Sequence, residues 1–172
     1  PIPLTQMDLP VTFDDATVDY GTIDFGGNAS AFVVDPVDAS NNVVQSVKTA
    51  GSDTWAGTSL ATNNGAFANA IPFTATDQRL SVRVWSPAAG IPVRLKVEDQ
   101  TNGAVSVETE DTTTVAGAWD TLYFDFSTPV GGSLNLANTY DKASIFYNFG
   151  TAGANDTFYW DDVEFNPAPV TP

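Results

Sequence analysis

The chain of 172 residues has no cysteine and no histidine, a single methionine, and only six lysines and arginines against 21 aspartates and glutamates. Without cysteine or histidine there are no disulfides, no thiolate chemistry, no Ser-His-Asp or Cys-His arrangement and none of the usual zinc sites. The formal net charge of −15 repels phosphate backbones and anionic lipid, because affinity for nucleic acid comes largely from cationic contacts that release counterions. Nucleic acid and membrane are therefore not expected partners. No run of about 18 apolar residues occurs, so no membrane span is expected. Apolar recurrence at helical spacing is also missing beyond a turn and a half, with at most a short turn in "NLANTYDKA" (135–143), and helix content should be minimal. Neutral ligands and divalent cations remain admissible.

What is present is a series of short alternating runs divided by turn residues every ~8–12 positions, the pattern of an all-β sandwich. The runs include "SAFVVD" (30–35), "NVVQSVKT" (42–49), "LSVRVWS" (80–86), "IPVRLKVED" (91–99), "AVSVETE" (104–110), "WDTLYFDFS" (119–127), "ASIFYNFG" (143–150) and "FYWDDVEF" (158–165). Hydrophobic residues make up 42% of the chain, enough for one domain with a proper core. That domain is expected over 11–166, with a linker-like segment at 1–10 and a proline-rich linker at 167–172 that tethers a further domain. "SPAAGIP" (86–92) and "QTNGA" (100–104) read as hairpin turns. They would join 80–86, 91–99 and 104–110 into one antiparallel meander.

A strand has period two, so Leu80, Val82 and Val84 face one way while Ser81, Arg83 and Trp85 face the other. By the same count Arg94, Lys96 and Glu98 stand outside Ile91, Val93, Leu95 and Val97, and Glu108 and Glu110 stand outside Val105 and Val107. In the meander these residues share one sheet face: a tryptophan among charges of both signs. The charges alone can be read as cross-strand pairs on a solvated surface, each contributing a few tenths of a kcal/mol. A large ring on the non-core side has no packing reason, whereas flat indoles flanked by directional polar groups suit sugar rings. Trp55, in the polar stretch "GSDTWAGTSL", raises the same question. Trp119 and Trp160 are assigned to the core, and "ASIFYNFG" to a central strand with Asn148 emerging at the site end.

In "FYWDDVEF", strict alternation sends one of Asp161 and Asp162 toward an apolar interior or a covered edge. A bare buried carboxylate is costly, and calcium, which takes 6–8 oxygen ligands, is a candidate counter-charge. A second acidic pair, Asp14 and Asp15, stands in "VTFDD" (11–15).

With its Phe-acid opening, "VKT…TWAGTSL", "WDTLYFDF" and closing "FYWDDVEF", the sequence resembles the β-jelly-roll carbohydrate-binding modules of the broad group containing families 4, 9, 16 and 22, over roughly 11–166. The resemblance implies a jelly-roll sandwich of two antiparallel sheets and no catalytic activity. It implies a structural Ca²⁺ shared by the first and last strands through Asp14 and Asp161, with Asp15 and Asp162 as neighbours. It also implies a polysaccharide along a concave sheet face, stacked on Trp55 and Trp85 with help from Arg83 and Asn148; Arg94 and Lys96 add local positive charge. A neutral β-glucan is the expected ligand, laminarin-type β-1,3-glucan first, on a monomeric extracellular bacterial module. Two other readings are kept: a calcium-stabilised structural or adhesive module of a cell-surface protein, and a glycosidase using the carboxylates of Glu108 and Glu110.

Overall fold

The computed structural model describes residues 2–60 and 65–166. Twelve strands and no helices form among them: β1 (Thr5–Gln6), β2 (Val18–Asp19), β3 (Thr22–Phe25), β4 (Asn28–Val34), β5 (Asn42–Lys48), β6 (Gly57–Leu60), β7 (Arg79–Ser86), β8 (Pro92–Asp99), β9 (Asn102–Thr112), β10 (Ala118–Asp125), β11 (Lys142–Tyr147) and β12 (Asp156–Phe165). Two five-stranded antiparallel sheets, in the orders β10-β7-β12-β5-β4 and β3-β6-β11-β8-β9, pack as the expected jelly-roll sandwich. β1 and β2 add a small parallel ribbon.

Alternation places the core as expected. Leu80, Val82 and Val84 of one sheet and Val93, Leu95 and Val97 of the other are all buried in a single apolar cluster. Tyr147 of β11 stacks on Phe158 of β12 with ring centroids 4.5 Å apart, tying the two sheets together. Burying side chains of this size contributes about 1.5–3 kcal/mol each.

The expected meander does not form. β8 and β9 are a hairpin, but β7 belongs to the opposite sheet, between β10 and β12. Residues 87–91 therefore cross from one layer to the other. A proline- and glycine-containing connection permits either route, and both routes send the same alternate residues inward, so the turn residues alone do not choose. The consequence for the site is large: Arg83 and Trp85 lie on one exterior of the sandwich, and Arg94 and Lys96 on the other.

The amino-terminal stretch is part of the fold rather than a linker. Thr5 pairs with Val18, Met7 is fully buried, and Val11 forms an isolated bridge with Val163 of the last strand. The "VTFDD" stretch is not a strand beyond that bridge. The proline-rich tail at 167–172 lies outside the described residues.

Candidate functional site

The exterior of the β3-β6-β11-β8-β9 sheet carries a groove of about 370 Å³ lined by Phe25, Trp55, Ser59, Lys96, Glu98, Glu108, Lys142, Ser144, Phe146 and Phe149. Strand register explains the assembly. Phe146 sits opposite Arg94, Ser144 opposite Lys96 and Lys142 opposite Glu98, while Glu110 and Glu108 continue the Arg94 and Lys96 rows onto β9. The loop before β6 brings Trp55 to one end, and the loop after β11 brings Phe149 to the groove.

Trp55 is 49% exposed, and one side of its ring is supported. Phe25 stacks on it at 6.3 Å with planes 14° apart. A side chain at Gly26 would place its first carbon 3.1 Å from Trp55 Cζ3 and 2.8 Å from the Ala56 backbone, at a φ of +66°. Glycine at 26 therefore sets where the indole stands. Phe149 has one face occupied by the Arg94 guanidinium at 3.5 Å, a cation–π contact.

The charges of the groove are spent on one another. Arg94 reaches Glu108 at 2.9 Å and Glu110 at 3.1 Å, and Glu98 takes Lys96 at 2.6 Å and Lys142 at 3.1 Å. Burial pushes the Glu98 carboxyl up, but hydrogen bonds and positive charge from the two lysines prevail and hold it below the usual carboxylate range. Lys96 and Lys142 thus balance Glu98 and Glu108 in the lining, with the Arg94–Glu110 pair beside them, leaving a locally neutral floor of donors and acceptors within a chain of net charge −15. Two larger clefts lie elsewhere: about 590 Å³ beside Asp8, Asn69 and Glu164, and about 410 Å³ beside Leu4, Phe32 and Val34. Neither presents an indole beside paired charges.

The expected site residues are thus divided. Trp55 and Lys96 line this groove, and Arg94 stands beside it, against Phe149 and Glu108. Trp85 and Arg83 are on β7 in the other sheet, so the shared face expected of Trp55 and Trp85 does not exist. Trp85 packs edge-on against Tyr159 at 5.3 Å. Trp119 is not in the core: it shares the outward parity of β10 with Thr121 and Tyr123, lies 4.1 Å under Arg83, and donates its indole N–H to Asp35 Oδ1 at 3.1 Å. Trp160 is buried as expected, donating to Ser46 Oγ at 3.1 Å. Asn148 is at the end of β11, but the groove lining passes from Phe146 to Phe149 and omits it.

The residues missed by the sequence reading are Phe25, Ser59, Lys142, Ser144, Phe146 and Phe149. Lys142, Ser144 and Phe146 share one parity, which was a usable signal. It was hidden because "ASIFYNFG" is apolar on both sides.

The paired acids of the last strand sit beside an arginine at the sheet junction. A β-bulge interrupts the β12–β7 pairing between Asp161 and Glu164, with Asp162 at a φ of +47°. The extra residue lets Phe158, Trp160 and Val163 all reach the core, so neither acid points into it. Arg83 is the cation: it lies 3.1 Å from Asp35, 3.5 Å from Asp161 and 3.6 Å from Asp162. Burial raises the Asp35 carboxyl, yet hydrogen bonds from Val37, Asn41, Trp119 and Arg83 outweigh it and hold it low. Asp161 is 1% exposed and receives Asn41 Nδ2 on Oδ2 at 2.9 Å, while its Oδ1 is buried without a partner. Desolvation dominates there and pushes its carboxyl up to about 6. Asp14 Oδ1 accepts from Asn42, and Asp15 accepts from Thr17 in its own turn, which lowers its carboxyl. Among the described residues no three Asp, Glu, His or Cys side chains are grouped to hold a metal.

No protein-family model matches the chain, and no curated protein matches it. Solved structures do. A non-crystalline-cellulose-specific carbohydrate-binding module of family 28 superposes with a TM-score of 0.62 at 15% identity, covering 96% of this chain and 98% of that one. The family 11 module from Clostridium thermocellum, solved with a β-1,3-1,4-mixed-linked tetrasaccharide, gives 0.60 at 15% identity over 92% and 95%. The family 22–family 10 module pair of C. thermocellum xylanase 10B, solved in complex with xylohexaose, gives 0.53 at 15% identity over 93% of this chain and 28% of that one. The fold is that of the β-sandwich carbohydrate-binding modules. At these identities the likeness is one of backbone architecture.

Proposed function

We propose that the chain is a non-catalytic carbohydrate-binding module that takes a neutral polysaccharide along the β3-β6-β11-β8-β9 exterior, with Trp55 as the stacking platform. The observation that carries this reading is a braced, half-exposed indole at the end of a groove whose charges cancel. A sugar ring can cover the open side of Trp55 while its hydroxyls bond Lys96, Glu98, Glu108 and Lys142, and no buried charge is left in excess. A neutral β-glucan suits that surface, laminarin-type β-1,3-glucan first. The ligands named for the similar modules, a mixed-linked glucan tetrasaccharide and non-crystalline cellulose, support a glucan. The proposal extends to a secreted or cell-surface bacterial protein in which the module brings an attached domain to its polymer. Affinity electrophoresis against laminarin, mixed-linkage glucan, xylan, cellulose and alginate tests it. Retention by a neutral glucan and not by alginate is expected; retention by none would favour a purely structural module.

Catalysis is not part of the proposal. Glu108 and Glu110 are both engaged by the same Arg94 guanidinium, so neither carboxyl is free to face a glycosidic oxygen as glycoside hydrolysis requires. Wild type and Glu108→Gln should both release no reducing ends above blank from laminarin. Release that vanishes in the variant would overturn this.

Calcium at Asp14 and Asp161, with Asp15 and Asp162 beside them, is a further part of the proposal. Its support is the unpartnered Asp161 Oδ1; main-chain carbonyls would have to complete the shell. Calcium at about 100 times its Kd would add about 2.7 kcal/mol. The melting temperature should therefore rise by several degrees from chelator to millimolar calcium. Equal melting in the two conditions removes calcium from the account.

A further inference from the structure

Lys48 is only 1% exposed, an unusual position for a lysine in a chain that has six basic residues in all. It occupies the inward parity of β5 below Val44 and Ser46. Its ammonium donates to three main-chain carbonyls: Tyr147 at 2.9 Å, Asn148 at 3.0 Å and Thr54 at 3.1 Å. Three N–H groups meet three oxygens, so the head group is fully used on backbone rather than on a carboxylate. Desolvation lowers its proton affinity, and the charge of Asp156, its neighbour across the strand, opposes that. An ammonium is costly to bury unless its hydrogens are satisfied.

Those carbonyls come from the two loops that form the groove. Thr54 immediately precedes Trp55, and Asn148 immediately precedes Phe149. Gly150 N also donates to Thr54 O at 3.0 Å, and Gly153 O accepts from Gly51 N at 2.9 Å, so the loops are zipped by backbone as well. Asn148 has a φ of +48°, which turns the chain where Lys48 holds it. The strands feeding the loops lie in both sheets, β5 and β12 in one and β6 and β11 in the other. One side chain rooted in the first sheet thus gathers backbone on the way into β6 and out of β11 in the second.

We infer that Lys48 is a positioning residue for the groove, a tethered cation that fixes the spacing between the Trp55 loop and the Phe149 loop. It does with a side chain what a bound metal ion does elsewhere by collecting main-chain oxygens. Removing the charge while keeping the bulk leaves the carbonyls of Tyr147 and Asn148 without this donor and frees the two aromatic loops to separate. The groove then loses its pre-set width, and ordering it again is charged against ligand binding.

This inference rests on the groove being the glycan site, and the experiment separates the two. Lys48→Met in the full chain is compared with wild type by amide hydrogen exchange and by affinity electrophoresis against laminarin and mixed-linkage glucan. Exchange at Gly150 and Gly51 should rise at least tenfold while β7 and β8 stay protected, and glucan retention should fall about tenfold. Unchanged exchange in a folded variant overturns the inference, and so does loosened exchange with unchanged retention. If wild type itself is not retained, the glycan reading fails, and exchange alone still decides whether Lys48 clamps the loops. Should Lys48→Met not fold, Lys48→Ala is titrated with propylammonium and, separately, 1-propanol. Recovery of loop protection by the ammonium alone supports the clamp; equal recovery by the alcohol refutes it.

Discussion

Trp55→Ala should lower affinity for the proposed glucan ligand by about thirtyfold, roughly the 2 kcal/mol lost when an aromatic anchor is truncated, and leave the melting temperature nearly unchanged. The indole is half-exposed and braced from one side by Phe25, so its removal takes away the platform without opening a core cavity. Trp85→Ala is the matched control. Trp85 packs on Tyr159 in the other sheet, so its loss should reduce stability and spare retention. Affinity electrophoresis and thermal melts of the two variants give the comparison, and the reverse pattern would move the site to the β10-β7-β12-β5-β4 exterior.

A second large effect is expected at Asp161. Its carboxyl titrates near 6 in the folded chain against an ordinary value of 3.8. The folded state therefore binds the proton more tightly than the unfolded chain, and stability must fall as pH rises between those values. The contribution is fully present below about pH 4, declines through pH 6 and is gone above about pH 7. Its full span is about 3 kcal/mol at 1.36 kcal/mol per pK unit. Asp161→Asn removes this titration. In the presence of chelator, the unfolding free energy of wild type minus that of the variant should drop by up to about 3 kcal/mol from pH 4 to pH 7. Denaturant melts across that range measure it; a difference that stays constant would show that Arg83 and Asn41 already stabilise the ionised form. The same variant should abolish any stabilisation by calcium if Asp161 is a ligand.

Much of the fold is legible because a β-sandwich writes its interior into alternate positions. Val82, Val93 and Phe124 are buried for the reason the pattern suggests, and the two-sheet architecture follows from many short runs without helical spacing. Membership of a sheet is not written that way. Residues 87–91 cross the sandwich, yet Leu80 to Val84 and Val93 to Val97 would alternate identically in a hairpin. Reading them as neighbours puts Trp85 beside Lys96, when the core separates them. Side-chain parity is decisive for Trp119, whose outward phase matches Thr121 and opposes Leu122; the apolar run Leu122, Phe124 and Phe126 that follows it suggests core, and a slot beneath Arg83 receives it instead. Lys48 was legible in one respect, since a lysine in phase with Val44 and Ser46 must find acceptors inside. Which acceptors depends on loops that only the folded chain brings together.

The bulge at Asp161–Asp162 acts as a splice in the final strand. Upstream of it, Asp156 to Trp160 run in step with β5; downstream, Val163 takes Val11 as its partner on the strength of a single bridge. Two neighbours whose phases do not match can thus share one continuous segment, because a single surplus residue resets the beat between them. Val11 and the last described strand meet at that seam, so closure of the sandwich there depends on a count of residues as much as on their chemistry.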